Sequence, residues 1–236
     1  LFSLVLEGMV TTQAVAGDYV HQVNTLIGTK GTGLTSGYLY PGATYPYGMV
    51  QFTPSYFSKR SGFVINQLSG GGCEHMGNFP TFPVKGKLKM SPDNILNYRI
   101  NVSEEKGHAG YYEAMVQEDI KAKLTVTERT GMASYEYPAD QQYGTIIIGG
   151  GISATPIEQA AIVITAPNKC EGYAEGGNFC GLRTPYKVYF VAEFDTDAFE
   201  TGTWKREELM PNTTFAEGEY SGVYFTFDVN KKKNIQ

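Results

Sequence analysis

Two alternating runs, joined by one turn, restrict this chain more than any other stretch. Ala122 to Arg129 (AKLTVTER) alternates apolar and polar residues, and so does Gly131 to Tyr137 (GMASYEY) before Pro138. A period of two belongs to strands with one face buried, not to helices, and Thr130-Gly131 between the runs predicts a hairpin turn. Thr145-Ile146-Ile147-Ile148 is continuously apolar, as expected of a strand covered on both faces. Ala160 to Thr165, Lys187 to Phe194 and Gly222 to Val229 continue the series, whereas the best helical candidate is the short stretch Tyr19 to Leu26. Many strands with turn signals between them predict an all-β chain, a large antiparallel β-sandwich. There is no internal repeat and no long disordered linker, so residues 18–236 read as one β domain behind an arm or leader at 1–17.

Composition narrows the partners. With 28 Gly, 17 Tyr and 13 Phe in 236 residues, the chain suits a turn-rich sheet protein able to bury a sizeable core. A net charge of -5 argues against a nucleic-acid backbone as ligand. Lys231-Lys232-Lys233 is too short a run to change that, and reads as a solvated strand end. No stretch is long enough to form a membrane span. The apolar start Leu1 to Leu6, with Ala14-Val15-Ala16-Gly17 after it, resembles a signal-peptide tail. Glu7 and the lack of a basic start count against a leader, so a leader tail and an ordinary arm both stand as readings.

Export, to the periplasm or the extracellular space, would permit a disulfide between Cys170 and Cys180, which flank the glycine-rich loop EGYAEGGNF. The other reading is two free, partly buried thiols. Asn101-Val102-Ser103 and Asn212-Thr213-Thr214 are glycosylation sequons that matter only in some hosts.

The segment from Tyr40 to Gly72 crowds prolines, glycines and rings around a short strand-like core at Gly48–Thr53. Gly and Pro set special backbone angles, and loops so shaped tend to carry recognition surfaces. Tyr and Phe faces also suit sugar rings, pairing apolar area with a polar tip. The rings between Tyr40 and Phe63 are therefore expected to form an exposed recognition face on a rigid sheet.

Motifs for other chemistries fail. Gly28-Thr29-Lys30-Gly31-Thr32-Gly33 and Gly149-Gly150-Gly151 meet neither the dinucleotide nor the P-loop pattern. Cys73-Glu74-His75, after Gly70-Gly71-Gly72, puts a thiol, a carboxylate and an imidazole in one accessible loop. It lacks the second ligand pair a zinc site needs, which leaves a structural turn or a sugar-facing loop. His21 and His108 are isolated. A glycosidase needs two carboxyl groups across the scissile bond. The acids here (Glu104-Glu105, Glu118-Asp119, Asp195 with Asp197, Glu207-Glu208) lie in charged, turn-like settings typical of surface residues. No catalytic pair and no metal site is assigned.

Several ordered blocks resemble the N-terminal region of glycoside hydrolase family 92, the exo-acting α-mannosidases. They are Val23 to Thr29 (VNTLIGT), Tyr40 to Gln51 (YPGATYPYGMVQ), Gly62 to Gly70 (GFVINQLSG), Ala109 to Glu113 (AGYYE), Leu124 to Met132 (LTVTERTGM) and Tyr186 to Asp195 (YKVYFVAEFD). The resemblance implies a sandwich of the galactose-mutarotase-like (supersandwich) type. In the family this precedes an (α/α)6 catalytic domain that supplies the carboxylates and the Ca2+ ligands. It also implies a calcium-dependent, inverting release of terminal mannose from mannans or N-glycans, with α-1,2 linkages as the expected preference.

On this reading the partners are a C-terminal catalytic domain and mannose-containing glycans. The chain alone is inactive, and Gly72, Cys73, Glu74 and His75 are the substrate contacts at the pocket rim. Val64-Ile65-Asn66 departs from the Ser-His-Thr-His-type stretch of many members. The resemblance also implies that Gln236 falls where the family's last sandwich strand is still running. A stand-alone carbohydrate-binding sandwich without catalysis is the alternative. An aldose-epimerase-like enzyme would need converging histidines, which these scattered ones do not offer.

Overall fold

The computed structural model describes residues 19, 22–29, 39–55, 62–68, 76–93 and 101–236. Four short strands come first: β1 (Ala43–Thr44), β2 (Gln51–Pro54), β3 (Phe63–Val64) and β4 (Thr81–Lys85). A meander follows, β5 (Val102–His108), β6 (Tyr111–Val116), β7 (Ile120–Val126) and β8 (Gly131–Glu136), and then the apolar β9 (Tyr143–Gly149). The longest strands are β10 (Ile157–Ala166), β11 (Lys169–Phe179) and β12 (Leu182–Glu193). The chain closes with β13 (Glu200–Lys205), β14 (Glu208–Pro211), β15 (Phe215–Glu217), β16 (Ser221–Asp228) and β17 (Asn234–Ile235).

They form an eight-stranded sheet in the order β1-β2-β3-β4-β9-β16-β13-β14, a four-stranded sheet β12-β11-β10-β15 and a five-stranded sheet β17-β8-β7-β6-β5. The pairings are antiparallel, so the expected antiparallel sandwich is what forms. β9 and β16 lie at the centre of the large sheet, and their runs are buried on both faces as the continuous apolar pattern predicts. Register puts Ile146, Ile148, Val223, Phe225 and Phe227 on one face, with Phe82, Ile147, Tyr224 and Trp204 on the other. The two smaller sheets share the first face. Phe63 of β3 meets Tyr112 and Tyr135 of the five-stranded sheet, and Phe194 beyond β12 meets Phe225 and Phe227.

Three expectations need correction. The β7–β8 turn is not at Thr130-Gly131. Val126 pairs with Gly131, and Thr127 N–H donates to Thr130 O at 2.8 Å across a four-residue loop. Gly131 serves packing instead, because a Cβ there would stand 2.9 Å from Phe52 Cδ1. In the described part of the helical candidate Tyr19–Leu26, Gln22 N–H donates to Tyr19 O at 3.0 Å in a 3-10 turn, and a second turn follows in which Asn24 Oδ1 accepts the Leu26 N–H.

The glycine-rich "loop" between Cys170 and Cys180 is strand β11. Its Gly172 sits against the cross-strand Phe190 ring, and a Cβ at that position would meet Ala161 O at 2.4 Å. Cys170 and Cys180 therefore lie at opposite ends of an extended strand, roughly 30 Å apart, and cannot pair. Cys170 is a buried free thiol pushed up to about 12 by burial, while Cys180 is disulfide-bonded. Cys180 and Gly181 make the two-residue turn into β12 with φ of 51° and 82°, the type I′ geometry that matches strand twist.

Candidate functional site

The segment that carries Gly72, Cys73, Glu74 and His75 lies outside the described residues. Its two stems are described, and they are tightly bound to each other. Gln67 bridges to Met76, Asn78 N–H donates to Asn66 Oδ1 at 2.8 Å, and Asn66 Nδ2 donates to Asn78 Oδ1 at 3.0 Å. Ala154 N–H adds a bond to Met76 O at 2.8 Å. Beneath the stems Gln67 is buried with both amide atoms unpartnered, and Asn78 Nδ2 is unpartnered too. Polar side chains buried this way are unusual in a sandwich, where such groups are normally satisfied. Asn66 lies in the Val64-Ile65-Asn66 stretch singled out in the sequence. Here it clamps the loop base, a role that sequence reading did not find. The signal was available: amide residues at inward positions on both flanks of the segment.

The expected ring face between Tyr40 and Phe63 divides in two. Phe52 and Phe63 are core residues, so they cannot take part in an exposed surface. Tyr45, Tyr47 and Met49 in the β1–β2 loop are exposed, and Tyr47 is wholly so. The loop is held rather than loose: Gly48 N–H donates to Tyr45 O at 3.0 Å, and Met49 N–H to Glu128 O at 2.7 Å. Tyr47 has a φ of 59°, which an aromatic residue adopts only under constraint, and such strain tends to gather at functional positions. A second aromatic surface was missed. On the outer face of the four-stranded sheet, Tyr173, Tyr189 and Phe215 line a shallow depression of about 390 Å³, with Lys187 Nζ 4.1 Å from the Tyr173 ring centre. The alternation of β12 showed the strand but not which side faces solvent.

The acids singled out above are placed as follows. Glu105 accepts the Tyr112 hydroxyl, Asp119 pairs with Lys85 at 3.0 Å, and Asp195 pairs with Lys232 at 2.7 Å. Glu104, Glu118, Asp197, Glu207 and Glu208 are exposed. Elsewhere, burial raises the Asp93 carboxyl despite the neighbouring Arg206. On β6, Glu113 is held below the usual carboxylate range by the Tyr111 hydroxyl at 2.7 Å and by Lys121, Lys106 and Lys123. Tyr111 in turn is pushed up to about 12 by burial and by that bond. His108 is exposed and stacks on the Tyr111 ring. Among the described residues no three of His, Cys, Asp and Glu gather into a group able to hold a metal ion.

A large sandwich with a bound loop base and exposed rings beside it invites comparison with known proteins. The glycosyl hydrolase family 92 N-terminal domain matches residues 22–236. The chain belongs to that family. A protein of Arthroderma benhamiae described as an uncharacterized secreted glycosidase is 30% identical over 159 residues, which is 58% of this chain and 20% of that protein. Two family GH92 enzymes of Bacteroides thetaiotaomicron share the fold. One is an α-mannosidase (TM-score 0.76, 24% identity, 92% of this chain, 32% of that one). The other is an inverting mannosidase (TM-score 0.73, 23% identity, 92% and 30%). The family 92 chain thus spans about a third of the solved relatives and a fifth of the curated one.

Proposed function

We propose that this chain is the N-terminal sandwich of an exo-α-mannosidase that removes terminal mannose from mannans or N-glycans, with α-1,2 linkages its main target. The family match across residues 22–236 carries the reading. The solved relatives support it, since two are named as mannosidases and each is about three times as long as this chain. Catalysis belongs to a C-terminal domain. This domain supplies the surface on which that domain packs, with Tyr45, Tyr47 and Met49 as its exposed part. Gly72, Cys73, Glu74 and His75, mounted on the Asn66–Asn78 clamp, form the rim of the pocket. The calcium ligands are assigned to the catalytic domain on the family resemblance, and no step is routed through the ion. Export suits a chain with an oxidised Cys180 and a secreted relative.

The test compares the full-length protein with residues 1–236 alone on α-1,2-mannobiose, with and without a chelator. Activity confined to the longer protein and abolished by the chelator is expected. Mannose release by residues 1–236 alone, or none by either, would refute the proposal.

A binding role without catalysis is favoured by one observation, the Tyr173–Tyr189–Phe215 depression. It requires that residues 1–236 bind mannan and that Tyr189→Ala abolish the binding.

A further inference from the structure

One of the two sequons, Asn212-Thr213-Thr214, is where the chain crosses from one sheet to another. β14 ends at Pro211 on the edge of the large sheet, and β15 begins at Phe215 on the edge of the four-stranded one. The sequon is the turn between them, and Asn212 and Thr214 are both exposed.

This turn is pinned from within. Asn212 N–H donates to Thr201 O at 3.0 Å, and Ile164 N–H donates to Thr214 O at 2.8 Å. Thr213 Oγ1 donates to Met210 O at 2.7 Å, so in its 2.6 Å contact with Thr203 Oγ1 it must accept. Thr203 is fully buried, so the middle residue of the sequon is tied to the core side. The side chains of Asn212 and Thr214 enter no hydrogen bond among the described residues.

Asn212 has a φ of 60°, in the left-handed region that asparagine tolerates better than most residues. Turn geometry alone therefore explains an asparagine at 212. It does not explain a threonine at 214, whose hydroxyl has no partner in the described fold. An exposed asparagine with an unengaged hydroxyl two residues on is the acceptor pattern for N-linked glycosylation. The next residue, Phe215, is a 54% exposed ring that lines the depression shared with Tyr173 and Tyr189. Three residues span at most about 11 Å of chain, so Phe215 lies within reach of the first sugars attached at Asn212. An exposed aromatic ring offers such sugars an apolar platform.

We propose that Asn212 carries an N-linked glycan whose first sugars lie on the Phe215 ring. In the transfer, Asn212 Nδ2 bonds to the anomeric carbon of a lipid-pyrophosphate-linked oligosaccharide. The anomeric C–O bond breaks, the pyrophosphate leaves on its lipid, and the amide gives up one proton. A bulky, solubilising group at this point would cover the short edge strand β15. The inference rests on the export proposed above, and stands whichever sugar the full protein cleaves.

Two readouts test it. The full-length protein is isolated from the medium of its source organism and treated with a glycan-releasing amidase in heavy-oxygen water, which converts a glycosylated asparagine to labelled aspartate. Label at position 212 is expected. A protein in the medium with Asn212 unlabelled would overturn the proposal and leave export standing, whereas a protein retained in the cytosol would sink both. The second readout compares wild type with Thr214→Ala, which breaks the sequon and spares the left-handed turn residue. Each is made in a eukaryotic secretory host and in a bacterial periplasm. In the eukaryotic pair Thr214→Ala should speed hydrogen exchange of residues 215–217 roughly tenfold. In the bacterial pair it should change nothing, and adding Phe215→Ala should erase the difference in the eukaryotic one. An equal effect in both hosts, no effect in either, or a difference that survives Phe215→Ala would overturn the proposal.

Discussion

Thr145 and Thr226 face each other on β9 and β16, both fully buried, with hydroxyl oxygens 2.8 Å apart. Thr145 Oγ1 also lies 2.7 Å from Gly86 O, which can only accept. The single hydroxyl hydrogen of Thr145 is committed to that carbonyl, so Thr226 must be the donor between the two threonines. The relay predicts unequal mutants. Thr145→Val strands the Thr226 donor in the core and leaves the Gly86 carbonyl unbonded. At about 1–3 kcal/mol for each of the two unsatisfied groups, the expected loss is about 2–6 kcal/mol. Thr226→Val removes the donor itself and leaves Thr145 bonded to Gly86, a loss of about 0–1 kcal/mol. The double variant strands only the carbonyl, so it should be more stable than Thr145→Val by about 1–2 kcal/mol. Urea unfolding of the four proteins measures this, and midpoint temperatures should follow at about 2–4 °C per kcal/mol. If the double variant is no more stable than Thr145→Val, or if Thr226→Val is the costlier single change, the donor assignment is wrong.

Gly131→Ala drives a Cβ to within 2.9 Å of the Phe52 ring, so a loss of about 1–3 kcal/mol is expected in chemical unfolding, with partial recovery on adding Phe52→Leu. Tyr111→Phe removes the main cause of the depressed Glu113 pKa. Stability from that carboxylate is present above its ordinary pKa of 4.5 and is lost as pH falls through the lower folded value. Tyr111, pushed up to about 12 from 10.0, contributes stability below pH 10.0 that is lost as pH rises toward 12. The stability gap between wild type and Tyr111→Phe should thus be widest from about pH 6 to 9 and narrow on both sides; a gap independent of pH would sink the assignment. Cys170 should resist alkylation until the protein unfolds, and a non-reducing digest should recover the Cys180 peptide in disulfide linkage. A Cys170–Cys180 link would contradict the strand between them.

The class of fold was legible because burial writes itself into period. The continuous apolar run of β9 and the alternation of β7 and β8 both name the faces they bury. The errors fell where glycine was read as punctuation. In β11, Gly172 and Gly176 are strand residues whose missing side chains make room for the Phe190 and Tyr186 rings opposite. In β8, Gly131 makes the same room for Phe52. A sequence lists a glycine and its neighbours along the chain, whereas the ring it admits comes from another strand. For the same reason the ring-rich stretch could not be divided in advance. Phe52 and Tyr47 differ little as residue types, yet one is core and the other projects into solvent. The loop expected to touch substrate was visible only as chemistry in a line, and the Asn66–Asn78 clamp that bases it needs a contact between residues 12 apart.

The position of β16 has a consequence for how the domain is made. It lies between β9 and β13 in the middle of the large sheet, although it is nearly the last strand to be synthesised. β1 to β4 leave the ribosome early, but the central pairing that completes their sheet must close loops of about seventy residues and more. Folding dominated by such distant pairings is slow, and apolar edges wait exposed while it proceeds. A chain released before Asp228 would hold most of the core residues and lack the strand that joins them. Translation of the last quarter of the domain, rather than of its ring-rich beginning, is therefore the step that commits it to fold.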